Sequence, residues 1–366
     1  MNHRLTKLIN EIKQLDFSFG FVSDPMSIFY LTGFRSNPHE RLLALFVFPE
    51  AAPFLICPAM EKTDARASGW EGELIGYGDH EDPWTFVKQQ LESRGLSKTL
   101  KIGVESSHIT YSRVEKLEQL GESVSFITIE PVLNSLRTIK DPSEIEKLQQ
   151  AAKMADFAIE VGASLIKKGK SEQSIIAEIE YSLKKRGISE MSFSTMVLAG
   201  DKTASPHGKP DDRQIREGDF VLFDLGVIVD GYCSDITRTF VYKHASEKQE
   251  EIYQTVLEAE RAAIKQAIPG MRIGDLDLVA RSVIENKGYG DYFSHRLGHG
   301  LGLSIHEAPS MSHDNDSLLK EGMVFTVEPG IYIPEVGGVR IEDDVYLTKE
   351  GALTLTQFPK ELTVIS

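Results

Sequence analysis

Along the first third of the chain, apolar residues fall in short runs: "FSFGFVS", "LLALFVFP", "APFLICPA" and "LKIGVES", each closed by Pro, Ser or Glu. Runs of this length bounded by breakers predict strands. Helical stretches such as "DPWTFVKQQLESRG" lie between them, so residues 1–130 read as an α/β layer domain. They carry no glycine-rich phosphate loop and no dense cluster of catalytic residue types. Residues 131–145 read as a linker. It closes on Asp141-Pro142-Ser143-Glu144, a helix start with an N-cap, a proline at the first helical position and a capping-box glutamate. Ile145, Leu148, Ala152, Ala155 and Ile159 then recur at helical spacing. Further helices are predicted over roughly 171–186, 246–267 and 274–287. Strands are predicted over 192–199, 219–226, 231–242, 323–333 and 337–348, with turns at Asp230-Gly231 and Gly337-Gly338. Residues 146–366 therefore read as an α+β domain with an antiparallel sheet.

Two of these strands share an anomaly. "EGDFVLFDLG" (217–226) and "EGMVFTVEPG" (321–330) match at Glu-Gly, at a terminal carboxylate (Asp224, Glu328) and at a closing glycine, all at one offset of 104 residues. Each is an apolar run that ends on an acid, and breaking up a buried charge pair costs about 3–5 kcal/mol. The recurrence predicts two half-sites built by a repeated unit. Side chains alternate along a strand, so Asp224 shares a face with Leu222, and Glu328 with Thr326. Past each turn a second acid follows: Asp235 11 residues after Asp224, and Glu342 14 residues after Glu328. A hairpin of this length can set Asp224 opposite Asp235. If the two units pack face to face, four carboxylates converge, and they cannot all stay ionised without cations. Between the units lies "SHRLGHGLGLSIHE", with His295, His299 and His306. Glycines on both sides of His299 allow close approach of backbone and metal. Oxygen ligands with one added imidazole favour Mn²⁺, Co²⁺, Fe²⁺ or Zn²⁺.

Composition narrows the picture. At 366 residues two domains are the better prior, and the net charge of −15 argues against nucleic acid and anionic membranes as partners. The longest uninterrupted apolar run, "LLALFVF" at 42–48, is too short to span a bilayer. The N-terminal "MNHRLTKLINEIKQL" lacks an apolar signal region. Two cysteines, Cys57 and Cys233, make neither a disulfide framework nor a metal-ligand spacing. A reduced, cytoplasmic protein is expected.

In order and spacing, Asp224, Asp235, His299, Glu328 and Glu342 resemble the five metal ligands of the pita-bread metallopeptidases, which include methionine aminopeptidase, aminopeptidase P and prolidase. The N-terminal phrases "GFRSNPHERLLALFVF", "FLICPAME" and "GYGDHEDPW" are similar to the creatinase-type domain of aminopeptidase P and prolidase. Over nearly the whole chain the likeness is to bacterial prolidases (Xaa-Pro dipeptidases) of the Gram-positive type. The resemblance implies two divalent ions, manganese first, with cobalt, zinc or iron as alternatives. It implies Asp235 on the first ion, His299 and Glu328 on the second, and Asp224 and Glu342 bridging. A metal-bridging hydroxide would hydrolyse the Xaa-Pro bond of short proline-containing peptides. Glu328 would shuttle the proton, and His306 and His207 would donate to the developing oxyanion. His295, Arg296 and Arg340 are candidates for holding the proline carboxylate. Arg340 has a second reading, as the support of a carboxylate ligand. The resemblance further implies a homodimer in which the polar loop "RSNPHER" (35–41), with His39, Glu40 and Arg41, reaches over the partner's site and limits substrate length. The alternatives are an aminopeptidase P acting on longer peptides and a metal-binding protein without peptidase activity.

Overall fold

The computed structural model describes residues 3–366, which form two compact units divided between Leu136 and Arg137. In the first unit the strands are β1 (Phe19–Val22), β2 (Ala44–Val47), β3 (Phe54–Pro58), β4 (Glu73–Tyr77), β5 (Thr99–Val104) and β6 (Ser123–Thr128). They make one mixed sheet in the order β4-β3-β2-β1-β5-β6. Helices α1 (His3–Gln14), α2 (Pro25–Thr32), α3 (Lys62–Ala67), α4 (Pro83–Ser93), α5 (Tyr111–Glu118) and α6 (Glu130–Thr138) accompany it. The four strands expected from apolar runs are all present, and β1, β2 and β3 are buried along their whole length. The two strands that no apolar run announces, β4 and β6, are the sheet edges. They are half-exposed and so lack a continuous apolar stretch. The 35–41 loop lies between α2 and β2, and α6 occupies much of the segment read as a linker.

The second unit shows the repeat. Its first half pairs α7 (Pro142–Ser164) and α8 (Glu172–Lys185) with the antiparallel strands β7 (Met196–Ala199) and β8 (Phe220–Leu225). A short hairpin, β9 (Ile228–Val229) and β10 (Tyr232–Cys233), then leads into β11 (Ile236–Tyr242), which pairs back on β8. α7 opens on the Asp141 capping box, whose side chain accepts from the Ser143 and Glu144 amides. The second half begins with α9 (Glu247–Gln266) and α10 (Ile273–Asn286). Its strands are β12 (Gly298–Gly300), β13 (Glu307–Met311), β14 (Val324–Val327), β15 (Gly330–Ile333), β16 (Gly337–Arg340), β17 (Asp343–Thr348) and β18 (Gly351–Thr354). The chain ends with β19 (Val364–Ile365), which joins the first half's sheet beside β11. The repeated Glu-Gly phrase is repeated in conformation: Gly218 and Gly322 both take left-handed backbone, φ +85° and +89°, one residue pair before β8 and β14. Each half has its own core, one built on Ile159, Ile179 and Phe223 and the other on Val256, Leu276 and Phe325.

Two details differ from expectation. The second hairpin turns at 334–336, and Gly337 and Gly338 lie inside β16. A Cβ on Gly338 would stand 2.1 Å from the Thr203 carbonyl oxygen, so this glycine serves close approach rather than the turn. In the first hairpin Asp224 pairs with Thr237, not with Asp235. Asp235 lies two residues before Thr237 and therefore on the same face, diagonal to Asp224.

Candidate metal centre and peptidase site

A backbone bridge between Thr237 and Glu342 joins the two halves of the second unit at the site. The Glu342 amide donates to the Thr237 carbonyl at 3.1 Å, and Thr237 Oγ1 donates to Glu342 Oε2 at 2.6 Å. This bridge draws the acids of both hairpins together. Asp224 arrives at the end of β8, Asp235 just before β11, His299 in the middle of β12, Glu328 just after β14, and Glu342 between β16 and β17. All five line a cavity of about 420 Å³, together with Phe193, Pro206, His207, His295, Arg296, Ile305, His306 and Arg340.

The His299 tautomer follows from its partner. Nδ1 lies 3.1 Å from the Gly300 carbonyl, which can only accept, so Nδ1 carries the proton. Nε2 is left as a lone pair 3.6 Å from Asp235 Oδ2 and 3.5 Å from Glu328 Oε1. Burial and the neighbouring His306 push the ring's pKa down to about 3, so no imidazolium neutralises these acids. Three acceptors thus face one another at distances too long for hydrogen bonds. One ligand atom each from Asp235, His299 and Glu342 lies within 4.8 Å of the others. Asp235 Oδ1 is buried with no hydrogen-bond partner. Burial, compounded by mutual repulsion, raises the carboxyls of Asp235 and Glu342 well above the ordinary range and that of Glu328 to about 7. Acceptors aimed at a common point with too few protons or cations among them are what divalent ions satisfy, so the residues fit a metal centre.

A family model described as "Metallopeptidase family M24" matches residues 146–349, and one described as "Creatinase/Prolidase N-terminal domain" matches residues 4–139. The chain belongs to metallopeptidase family M24. Among its M24 relatives is the Bacillus subtilis protein named "Putative dipeptidase YkvY", 54% identical over 99% of this chain and 100% of that protein. The structure of the Xaa-Pro dipeptidase from Bacillus anthracis superposes with a TM-score of 0.92 at 34% identity, covering 99% of each chain. That of the prolidase from Pyrococcus horikoshii OT3 gives 0.91 at 35% identity, covering 99% of this chain and 100% of the other.

Around the five converging residues a directed hydrogen-bond chain runs through Arg340, Tyr332 and His295. The Arg340 guanidinium pairs with Asp224 and donates from Nε to Thr237 Oγ1 at 3.0 Å and from Nη1 to Tyr332 Oη at 2.9 Å. Tyr332 donates to His295 Nε2 at 2.9 Å, because His295 Nδ1 gives its proton to the Arg296 carbonyl at 2.8 Å. Arg340 is engaged on three sides by protein, the arrangement called for by its second reading, as the support of a carboxylate ligand. His295 is held neutral, its pKa pushed down to about 4 by burial and then by Arg340, so it offers no cation to a carboxylate. Arg296 differs: its side chain makes one hydrogen bond, to Ser310 Oγ at 3.1 Å, and no ion pair among the described residues. His207 and His306 are exposed on the cavity wall, and the His306 ring packs edge-on against His299, centroids 4.2 Å apart.

The glycines beside His299 have a different reason from the expected one. A Cβ on Gly298 would lie 2.0 Å from the Thr326 carbonyl oxygen, and one on Gly300 2.2 Å from that of Ala308. They admit the flanking strands rather than the metal. His39 is not among the residues lining this cavity. It lies in the first unit, in a separate cavity of about 790 Å³ with Arg41, Tyr77, Asp79, Trp84 and Arg113, where Arg41 is paired with Asp79 at 2.8 Å. The apolar wall of Phe193, Pro206 and Ile305, and the Tyr332 hydroxyl, escaped the sequence reading. Pro206 and Ile305 each adjoin a nominated histidine, which was the available signal.

Proposed function

We propose that the chain is a metal-dependent dipeptidase that hydrolyses the Xaa-Pro bond of dipeptides. The observation that carries this reading is the convergence of four carboxylates and a lone-pair imidazole on a small cavity that also holds a cation without an acidic partner and an apolar wall. Two divalent ions, when bound, polarise the scissile carbonyl and lower the pKa of water from about 15.7 to about 7. Asp224, Asp235, His299, Glu328 and Glu342 would hold them. Manganese is the first choice of ion, with cobalt, zinc and iron as alternatives. The bond before proline is a tertiary amide whose nitrogen has no hydrogen. Its cleavage needs a proton delivered to the leaving nitrogen. Glu328 takes that proton from the attacking water and passes it on. His306 and His207 donate to the oxyanion as it forms. Phe193, Pro206 and Ile305 receive the pyrrolidine ring, and Arg296 pairs with the proline carboxylate. That last contact selects for dipeptides, since a longer peptide has an amide at this position.

The same reading takes residues 1–130 as the N-terminal domain, 131–145 as the linker and 146–366 as the catalytic domain, in a cytoplasmic homodimer. The polar loop around His39 then limits substrate length at the partner's site. Light scattering at micromolar concentration should give twice the mass of the chain.

The deciding assay compares Ala-Pro with Ala-Pro-Gly in the presence of Mn²⁺, Co²⁺ or Zn²⁺. The expected result is a kcat/KM at least tenfold higher for the dipeptide. Preference for the tripeptide would make the chain an aminopeptidase P, and no turnover with any ion would overturn peptidase function.

A further inference from the structure

His306 reaches the cavity without a hydrogen bond of its own among the described residues; its one ring contact is the edge of His299. Its position therefore depends on the backbone that carries it, the loop 301–306 between β12 and β13. One side of that loop is held by the first half of the unit, where the Cys233 amide donates to the Gly302 carbonyl at 2.8 Å. The other side is held through the residue next to His306. Glu307 has a side chain only 6% exposed and takes three partners: the Ser304 amide at 2.9 Å, Lys140 Nζ at 3.3 Å and the Arg137 guanidinium. Arg137 also donates from Nη2 to Ser304 Oγ at 2.8 Å, so one guanidinium ties both ends of the turn 304–307. Lys140 is 1% exposed at its side chain. A buried lysine and arginine converging on one buried carboxylate is a costly arrangement, and here it fixes the end of the loop that carries His306.

We propose that Arg137 and Lys140 are positioning residues for His306, acting through the buried carboxylate of Glu307. Arg137 stands in the last turn of α6 and Lys140 in the segment that joins α6 to α7, both far in sequence from the site. Neither is among the residues that line the cavity. The proposal rests on the oxyanion role given to His306 above. Displacing a catalytic group by about 1 Å can cost up to about 100-fold in rate, and a donor to the oxyanion acts on kcat more than on KM.

The test is a double-mutant cycle in the full-length, metal-loaded enzyme. Arg137→Lys keeps the charge but cannot reach Ser304 and Glu307 together, so the fold is retained. It should lower kcat on Ala-Pro about tenfold, with KM within twofold and bound metal unchanged. The same substitution in a His306→Ala background should cost less than twofold. An equal loss in both backgrounds, or no loss in the first, overturns the proposal. Nitrogen-15 histidine NMR of the zinc-loaded protein separates the clamp from the chemistry. Arg137→Lys and Glu307→Gln should each shift or broaden the His306 ring signals and leave those of His244 unchanged. Unmoved His306 signals overturn the proposal whatever the kinetics. Moved signals with a His306→Ala enzyme of wild-type rate place the failure in the catalytic role of His306 instead.

Discussion

Glu328 and Asp235 differ in what their removal takes away. Asp235 is 5% exposed and has one oxygen with no hydrogen-bond partner, which suits the proposed role as a metal ligand. Asp235→Ala should reduce bound metal from two ions to one or none by inductively coupled plasma mass spectrometry, and lower kcat more than 100-fold. Glu328→Gln keeps the size and the Thr326 hydrogen bond but loses the proton carrier. It should lower kcat at least 100-fold on Ala-Pro, and activity within tenfold of wild type would contradict its role. Arg296→Ala tests substrate selection. It should raise KM for Ala-Pro at least tenfold and leave KM for Ala-Pro-amide, which has no carboxylate, nearly unchanged.

β12 is three residues long and sits between β13 and β14, with His299 at its centre. Its tolerance for side chains beside the histidine is set by the strands on either side. Gly298→Ala would place a methyl 2.0 Å from the Thr326 carbonyl oxygen, a backbone atom that cannot move without displacing β14. The expected result is a loss of about 1–3 kcal/mol, as for overpacking, seen as a lowered midpoint in thermal or urea unfolding. Weaker metal binding should accompany it, because Glu328 follows β14 directly. Unchanged stability would mean that the strands separate freely there. The same close packing explains why the glycine-flanked histidine was easy to nominate from sequence while the reason for its glycines was not: the carbonyls they admit are 28 and 8 residues further along the chain.

Behind the ligand strands lies a buried ionic network that joins three parts of the second unit. Arg238 pairs with Asp343 at 2.7 Å and donates to the carbonyls of Glu342 and Phe358. Lys360, from the C-terminal segment, pairs with Asp343 at 2.6 Å and Glu260 at 2.7 Å. Burial and the charge of Asp343 raise Glu260 of α9 to about 8. A carboxyl whose folded pKa exceeds its unfolded value of about 4.3 binds more protons when folded. It therefore loses stability as pH rises from its unfolded value through about 8. Glu260→Gln mimics the protonated form. Its melting temperature should match wild type near pH 5 and exceed it near pH 9. A difference that does not change with pH would show that Glu260 titrates normally.

The apolar runs, the Asp141 cap, the 104-residue repeat and the five ligand types were all legible in the sequence, because each is a local pattern or a fixed spacing. Strand edges were not: β4 and β6 have one side open to water, so their composition does not separate them from loops. The hairpin register that sets Asp224 beside Thr237 and diagonal to Asp235 was not legible either, since it depends on where the chain leaves the ladder at Ser234 and Asp235. Only the tertiary structure decided which charged residues were already occupied. Arg340, His295 and Arg296 were all candidates for holding a carboxylate, Arg340 with a second reading as the support of one of the converging acids. Packing engaged the first with Asp224 and Tyr332, held the second neutral by burial, and left the third with a single hydroxyl. The sequence determined which groups are available to the site, because ligand chemistry is a property of residue type. The fold determined which of them are free, because that is a property of neighbours brought together from across the second unit.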